Sequence, residues 1–353
     1  MNCVPEFSTF SAVTFFLYGH INRADQKGGL NMKRRIHIIA FAVFFLFLMP
    51  TVADAAELLI PGGQIIGLQL QNGTVTVAAF DDVLGVAARD AGIRVGDEIL
   101  TVDGQAVSCT EDIRGVLKQT GSPVTLSIRR SGKQHTIRVE PQPTDSGPRL
   151  GIYLKQGITG IGTISWYDPE TGVFGTRGHG VHDANGRLLN MTAGTAYHAQ
   201  VISVRKGQSG DPGLLKGNAD SRDIFGSLFR NTPQGVFGIA PKIKESAAIP
   251  VAEFQDVRTG SAVIRSTVAG TDIQEYSVEI LKIYPREKTD GRNFLIKITD
   301  PELLSTTGGI VQGMSGSPII QDGKLIGAVT HVLVNDPTRG YGIFIENMLD
   351  AAG

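Results

Sequence analysis

The chain has 353 residues, 41% hydrophobic and 19% charged, which supplies a core for about two domains and excludes bulk disorder. Thirty-three basic residues against 34 acidic ones leave a formal net charge of −1, so there is no electrostatic case for a nucleic-acid partner. Cys3 and Cys109 are the only cysteines, which excludes a disulfide framework and a cysteine-built zinc site.

Residues 1–31 show no pattern and precede Met32, and they read as an over-called extension upstream of the true start. Residues 32–57 read as a signal peptide or membrane anchor. Lys33-Arg34-Arg35 is a basic flank, Ile36 to Met49 is an apolar run broken only by His37, and Ala53-Asp54-Ala55 is a small-residue exit. The apolar run is shorter than the ~20 residues that span a bilayer, although Thr51 to Ala56 nearly complete that length. Cleaved signal and retained anchor are both compatible with this pattern. Either one carries the remaining chain across the cytoplasmic membrane.

Residues 58–143 suit a compact α/β module. Strands are expected at Thr74–Val77, Glu98–Val102, Val124–Arg129 and His135–Val139, with helices at Val86–Ala91 and from Thr110 to about Gln119. Asp103-Gly104 and Ser131-Gly132 are turn signals. The run from Gly92 through Val95-Gly96-Asp97-Glu98 to Asp103-Gly104-Gln105 resembles the signature of bacterial PDZ domains. That resemblance implies capture of an extended ligand peptide by strand addition. Gly62, Gly63, Gln64, Ile65, Ile66 and Gly67 are expected as the peptide-binding loop, because glycines let backbone N–H groups turn inward. Residues 144–149 are rich in Pro, Ser, Gly and Asp and read as a linker. Residues 150–353 alternate in short apolar strands separated by Gly- or Pro-bearing turns, which predicts an antiparallel barrel or sandwich.

The sharpest chemical signal is Gly313-Met314-Ser315-Gly316-Ser317-Pro318. A serine on a glycine-flanked turn exposes its Oγ, and the N–H groups of Gly313 and Ser315 then form an oxyanion hole. The pattern is similar to the nucleophile loop of chymotrypsin-like peptidases. A serine nucleophile needs a base, and His179, in Gly178-His179-Gly180, has room on both sides of its ring. His331 reads as a half-buried strand residue. His179, His182 and Asp183 lack a third ligand at helical spacing, so no metal site is expected. Asp300, followed by Pro301, reads from its own surroundings as a helix N-cap.

The wider set of stretches resembles the SpoIVB peptidase family, the stage IV sporulation serine peptidases. It comprises Ile60-Pro61-Gly62-Gly63-Gln64, Gly160-Ile161-Gly162-Thr163, Gly178-His179, Lys297-Ile298-Thr299-Asp300-Pro301 and the run from Thr307 to Ile320. The run continues through Gly327–His331 to Gly340-Tyr341-Gly342. The resemblance implies a PDZ domain ahead of a self-cleaving peptidase domain, with His179 as base, Asp300 as acid and Ser315 as nucleophile. It implies no cofactor. It further implies cleavage of a membrane-bound regulatory protein in the forespore intermembrane space, on the path to sigma-factor maturation. Two alternatives are an inactive PDZ scaffold and a general envelope protease. The expected fold class is mostly β with some α, a PDZ-like module followed by a chymotrypsin-like barrel domain.

Overall fold

The structure, a computed structural model, describes residues 57–120, 123–183, 186–241, 247–288 and 290–353. The predicted export segment at 32–56 lies outside the described residues, as do residues 1–31. Strands β1 (Leu58–Pro61) and β2 (Ile65–Phe80) precede helix α1 (Val86–Asp90), β3 (Glu98–Val102), β4 (Gln105–Ala106) and helix α2 (Thr110–Gln119). The hairpin β5 (Val124–Arg130) and β6 (Lys133–Val139) leads to β7 (Ile152–Tyr167), β8 (Val173–Thr176) and β9 (Ala193–Arg205). Next come β10 (Leu214–Thr232), β11 (Gly235–Ile239), β12 (Ile249–Pro250), β13 (Gly260–Ser266), β14 (Gln274–Ile283) and β15 (Phe294–Ile298). Helix α3 (Pro301–Thr307), β16 (Pro318–Gln321), β17 (Lys324–Leu333), β18 (Asp336–Phe344) and helix α4 (Ile345–Ala352) complete the chain.

The strands form two closed rings. Pairing of β2 with β7 closes β2, β7, β8, β11, β10 and β9 into one six-stranded barrel. Strands β13, β14, β15, β18, β17 and β16 form the second. Closure removes exposed strand edges, and period-two alternation fills the interior. Phe294, Ile296 and Ile298 all point inward from β15 and are essentially fully buried. They share a core with Val278, Ile280 and Phe344. The first barrel is filled by Ile66, Leu68, Leu70, Phe174, Ala196 and Val236. The expected fold class is therefore observed, with two barrels behind the single expected barrel domain.

The PDZ-like module has its own core, with Val75, Ile99, Leu126 and Ile128 of the sheet packed on Ile113 and Val116 of α2. Its signature acid, Asp97, is 1% exposed. Both of its carboxylate oxygens accept from Arg130, each at 2.6 Å, and one also accepts from Arg94 N at 2.8 Å. Burial pushes its pKa up, but the Arg130 and Arg94 bonds outweigh that and hold it below the usual carboxylate range. The turns at Asp103-Gly104 and Ser131-Gly132 have positive φ at both residues, as two-residue hairpin turns require.

The expected domain boundary is corrected. The first half of β2 pairs with β7 through Ile65↔Thr163 to Leu70↔Ile158, and with β9 through Ile66↔His198 to Gln71↔Ala193. The second half pairs with β3 and with the start of β7. One strand of 16 residues, roughly 50 Å long, therefore belongs to both the barrel and the module. Residues 58–71 belong to the barrel, and the expected linker at 144–149 is tied by the Gln142–Arg149 bridge. A chain beginning at Arg149 would lose β1 and β2 and open the first barrel, leaving β7 and β9 with bare edges. We expect that truncation to abolish the cooperative thermal transition seen by circular dichroism for a chain beginning at Ala56. Retention of a sharp transition would show that the barrel closes without β2.

Candidate active site

Ser315 sits on the turn leading into β16. Gly313 and Gly316 on either side both have φ near +103°, a conformation that excludes ordinary side chains. A Cβ at Gly316 would lie 2.0 Å from the Thr163 carbonyl oxygen and 2.5 Å from Arg177 N. The turn is anchored on β7 of the other barrel, where Thr163 N donates to Ser315 O at 3.1 Å and Thr163 Oγ1 donates to Gly313 O at 2.8 Å. The N–H groups of Gly313 and Ser315 have no acceptor among the described residues. They are therefore free to donate to a ligand oxygen. Ser315 Oγ donates to Thr330 O at 2.8 Å rather than to a base.

His179 lies on the loop leaving β8. Arg177 and Gly178 both have positive φ, at 71° and 63°. For Arg177 that conformation costs on the order of 1–3 kcal/mol, and strain of this kind gathers at functional sites. The Thr163 carbonyl accepts from Thr176 Oγ1 at 2.6 Å and from Arg177 N at 3.3 Å. Thr163 therefore touches the Ser315 turn and the His179 loop at once. The Val329–His331 segment bridges them as well. Val329 O accepts from Gly316 N, Thr330 O accepts from Ser315 Oγ, and the His331 ring lies 5.0 Å from the His179 ring.

His179 Nδ1 lies 3.0 Å from Gly180 O. A carbonyl only accepts, so Nδ1 carries the proton and Nε2 is left as an acceptor. Burial, then the Arg177 charge, pushes the His179 pKa down to about 3. The ring is therefore neutral at ordinary pH, the form a general base needs.

Among the described residues no hydrogen bond or ion pair joins Asp300 to His179 or Ser315. Asp300 is the N-cap of α3, with Oδ1 accepting from Leu303 N at 2.9 Å and Oδ2 from Ser277 N at 3.3 Å. The neighbour that feels Asp300 is Tyr276, whose pKa is pushed up to about 12 by burial, then by Glu302 and Asp300. The carboxylate whose charge reaches His331 is Asp290, which raises its basicity, though burial and Arg292 still leave it lowered. Sequence reasoning passed over Asp290, Arg177 and Thr163. The glycines beside Arg177 and Thr163 were the only local signal.

The expected peptide-binding loop is also corrected. Ile66 and Gly67 are paired on both sides in the barrel, Ile65 is paired with β7, and the N–H groups of Gly62 and Gly63 donate to Ser165 O and Ile164 O. The groove that suits an extended peptide lies between α2 and the start of β7, a cleft of about 690 Å³ bordered by Ile113, Leu117, Arg149, Gly151 and Ile152. From Ile152 to Gln156, β7 pairs with β2 on one side and has no strand partner on the other among the described residues. Its entry is Leu150-Gly151, where Gly151 has φ 65° and a Cβ would lie 2.1 Å from Leu84 C.

Two measurements test these assignments. Asn caps a helix about as well as Asp, so Asp300→Asn should leave thermal stability near normal, whereas Asp300→Ala should cost about 1 kcal/mol of stability. A collapse of turnover in a stable Asp300→Asn protein would make Asp300 the acid that orients the base, and near-normal turnover would remove it from that role. For His179, the folded pKa of about 3 lies below the ordinary 6.5, so the unfolded chain binds the extra proton between these values. His331 is shifted in the same direction. Stability from these neutral rings is full above about pH 6.5 and is lost as pH falls toward 3. His179→Gln should flatten the melting temperature against pH in that window, and an unchanged slope would refute the buried neutral state.

Comparison with known proteins places these features in a family. A PDZ domain family model matches residues 84–130. A relative named "Putative zinc metalloprotease" from Agrobacterium fabrum is 33% identical over 78 residues, 22% of this chain and 21% of its own. A do/HhoA-like periplasmic serine protease of Haemophilus influenzae is 31% identical over 90 residues, 21% of this chain and 19% of its own. The chain spans about a fifth of the length of these curated relatives. Among solved structures, the Rv3671c protease of M. tuberculosis in its active form is 16% identical, over 56% of this chain and 75% of its own, with a TM-score of 0.32. The PDZ domain of the SdrC-like protein of Listeria monocytogenes is 23% identical, over 23% of this chain and 85% of its own, with a TM-score of 0.20. The family model described as SpoIVB peptidase S55 matches residues 147–349, more than half of the chain, and the protein belongs to that family.

Proposed function

We propose that the protein is an exported or membrane-tethered serine endopeptidase in which Ser315 attacks the scissile carbonyl and His179 is the base. The observation that carries this reading is the juxtaposition of a glycine-flanked serine, two free N–H groups and a neutral histidine across one barrel junction. Ser315 Oγ leaves the Thr330 carbonyl and gives its proton to His179 Nε2, while the Nδ1–H bond to Gly180 O keeps the ring in that tautomer. Negative charge on the substrate oxygen falls to Gly313 N–H and Ser315 N–H. His179 then returns the proton to the leaving amine.

Family membership supports the finer assignment: self-cleavage, then cleavage of a membrane-bound regulatory protein in sporulation signalling. The cleft between α2 and β7 would hold a PDZ ligand peptide as an added strand, with Arg114, Lys118 and Arg149 at its border favouring an acidic or carboxylate-bearing ligand. Self-cleavage belongs ahead of Leu58, because β1 pairs with β7 and β12 and Leu59 is 1% exposed. A fluorophosphonate should label the wild-type chain and not Ser315→Ala, and the wild-type chain should shorten ahead of Leu58 while Ser315→Ala stays whole. Equal labelling of both proteins would remove Ser315, and labelling of neither would favour the binding-scaffold alternative.

A further inference from the structure

Beside His179 is a cavity of about 450 Å³ whose wall is apolar on one side, through Leu68, Leu70 and Ile158, and cationic or imidazole-bearing on the other, through Arg177, His179 and His331. No Asp or Glu lines it. Two buried polar atoms on this wall, Arg177 Nε and His331 Nδ1, have no hydrogen-bond partner. The Arg177 guanidinium has one protein partner among the described residues, Ile161 O at 3.2 Å from NH1, and no carboxylate within ion-pair distance. A guanidinium does not shed its proton to escape burial, so this charge stays unanswered in the free protein.

The cavity borders the reacting atoms. Arg177 N is the group a Cβ on Gly316 would strike, and His331 follows the Thr330 carbonyl that holds Ser315 Oγ. The strained φ of Arg177 and the close passage of its side chain over Gly160 and Gly162 direct its stem along the cavity wall. A group seated there is one side chain away from the scissile bond.

We propose that this cavity is a specificity pocket for an acidic side chain of the peptide substrate, read by Arg177; the proposal rests on the peptidase reading above. A carboxylate in the pocket accepts from Arg177 Nε and from His331 Nδ1–H, satisfying the two orphaned groups in one geometry. Its negative charge also offsets the Arg177 field that lowers the His179 pKa, so the base strengthens when the substrate seats. A neutral amide of the same shape supplies neither charge nor a full acceptor set and leaves the guanidinium buried and unpaired.

The test uses full-chain protein whose Ser315 has been shown to react with a fluorophosphonate. Peptides from a library are compared in matched pairs, Glu against Gln and Asp against Asn, at each position flanking the cut. The expected result is one position at which the acid exceeds its amide by about 100-fold in kcat/KM. Arg177→Met, which keeps the stem over Gly162, should bring that ratio close to one, and Arg177→Lys should restore part of it. Equal cleavage of acid and amide by labelled wild-type enzyme would overturn the pocket and leave the peptidase reading intact, and this comparison needs no variant. An undiminished ratio in Arg177→Met would equally overturn the role of Arg177. Wild-type protein that fails to label at Ser315 would overturn both readings together.

Discussion

The active site depends on Thr163. This fully buried residue of β7 donates through its N–H and hydroxyl to the Ser315 turn and accepts through its carbonyl from Thr176 and Arg177. Ser315 comes from one barrel and His179 from the other, so neither barrel alone sets the distance between them. Bonds in a buried, low-dielectric contact hold that distance more firmly than surface contacts could. The positive φ of Gly316 belongs to the same constraint, because only a residue without Cβ lets the turn approach the Thr163 carbonyl.

Around that joint Ser315 and His179 are each held by a backbone carbonyl. Ser315 Oγ is satisfied by a backbone carbonyl, and His179 is oriented by the carbonyl of its own neighbour in place of a carboxylate. A carbonyl fixes a tautomer as well as an aspartate does, but it carries no full charge to stabilise the imidazolium formed during attack. Arg177 opposes that charge further. The free protein therefore holds a neutral, weakly basic imidazole at His179. The field around the ring, more than the presence of the residues, decides how strongly the base acts.

The PDZ-like module is coupled to this site by covalent continuity. β2 and β7 each run 16 residues, from the peptide groove into the first barrel, and pair with one another along both stretches. Thr163 and the groove edge at Ile152–Leu154 are on the same strand, β7. The far end of that strand carries the joint between the Ser315 turn and the His179 loop. Paired strands resist bending, so the groove and the catalytic turn have a fixed separation, which suits presentation of one substrate segment to both.

Much of this was legible in the sequence because it depends on local chemistry. Alternating apolar residues, paired turn residues such as Asp103-Gly104 and the glycines around Ser315 dictate strands, hairpins and an exposed hydroxyl wherever they occur. Asp300 before Pro301 was a sound N-cap signal, and the structure keeps it as one. What the sequence could not settle was which strands meet. Gly62 to Gly67 have the composition of an anion-binding loop, but their pairing with β7 and β9 turns them into barrel wall, and Leu150-Gly151 takes the place at the groove. The linker and the domain boundary dissolved for the same reason, since one long strand can serve two sheets without any mark in its composition. The sequence by itself determined the element types, the nucleophile turn and the family. The tertiary structure alone decided that Thr163 and Arg177 lie against the Ser315 turn. Contacts between residues more than a hundred positions apart are set by barrel closure and register, and neither leaves a local pattern.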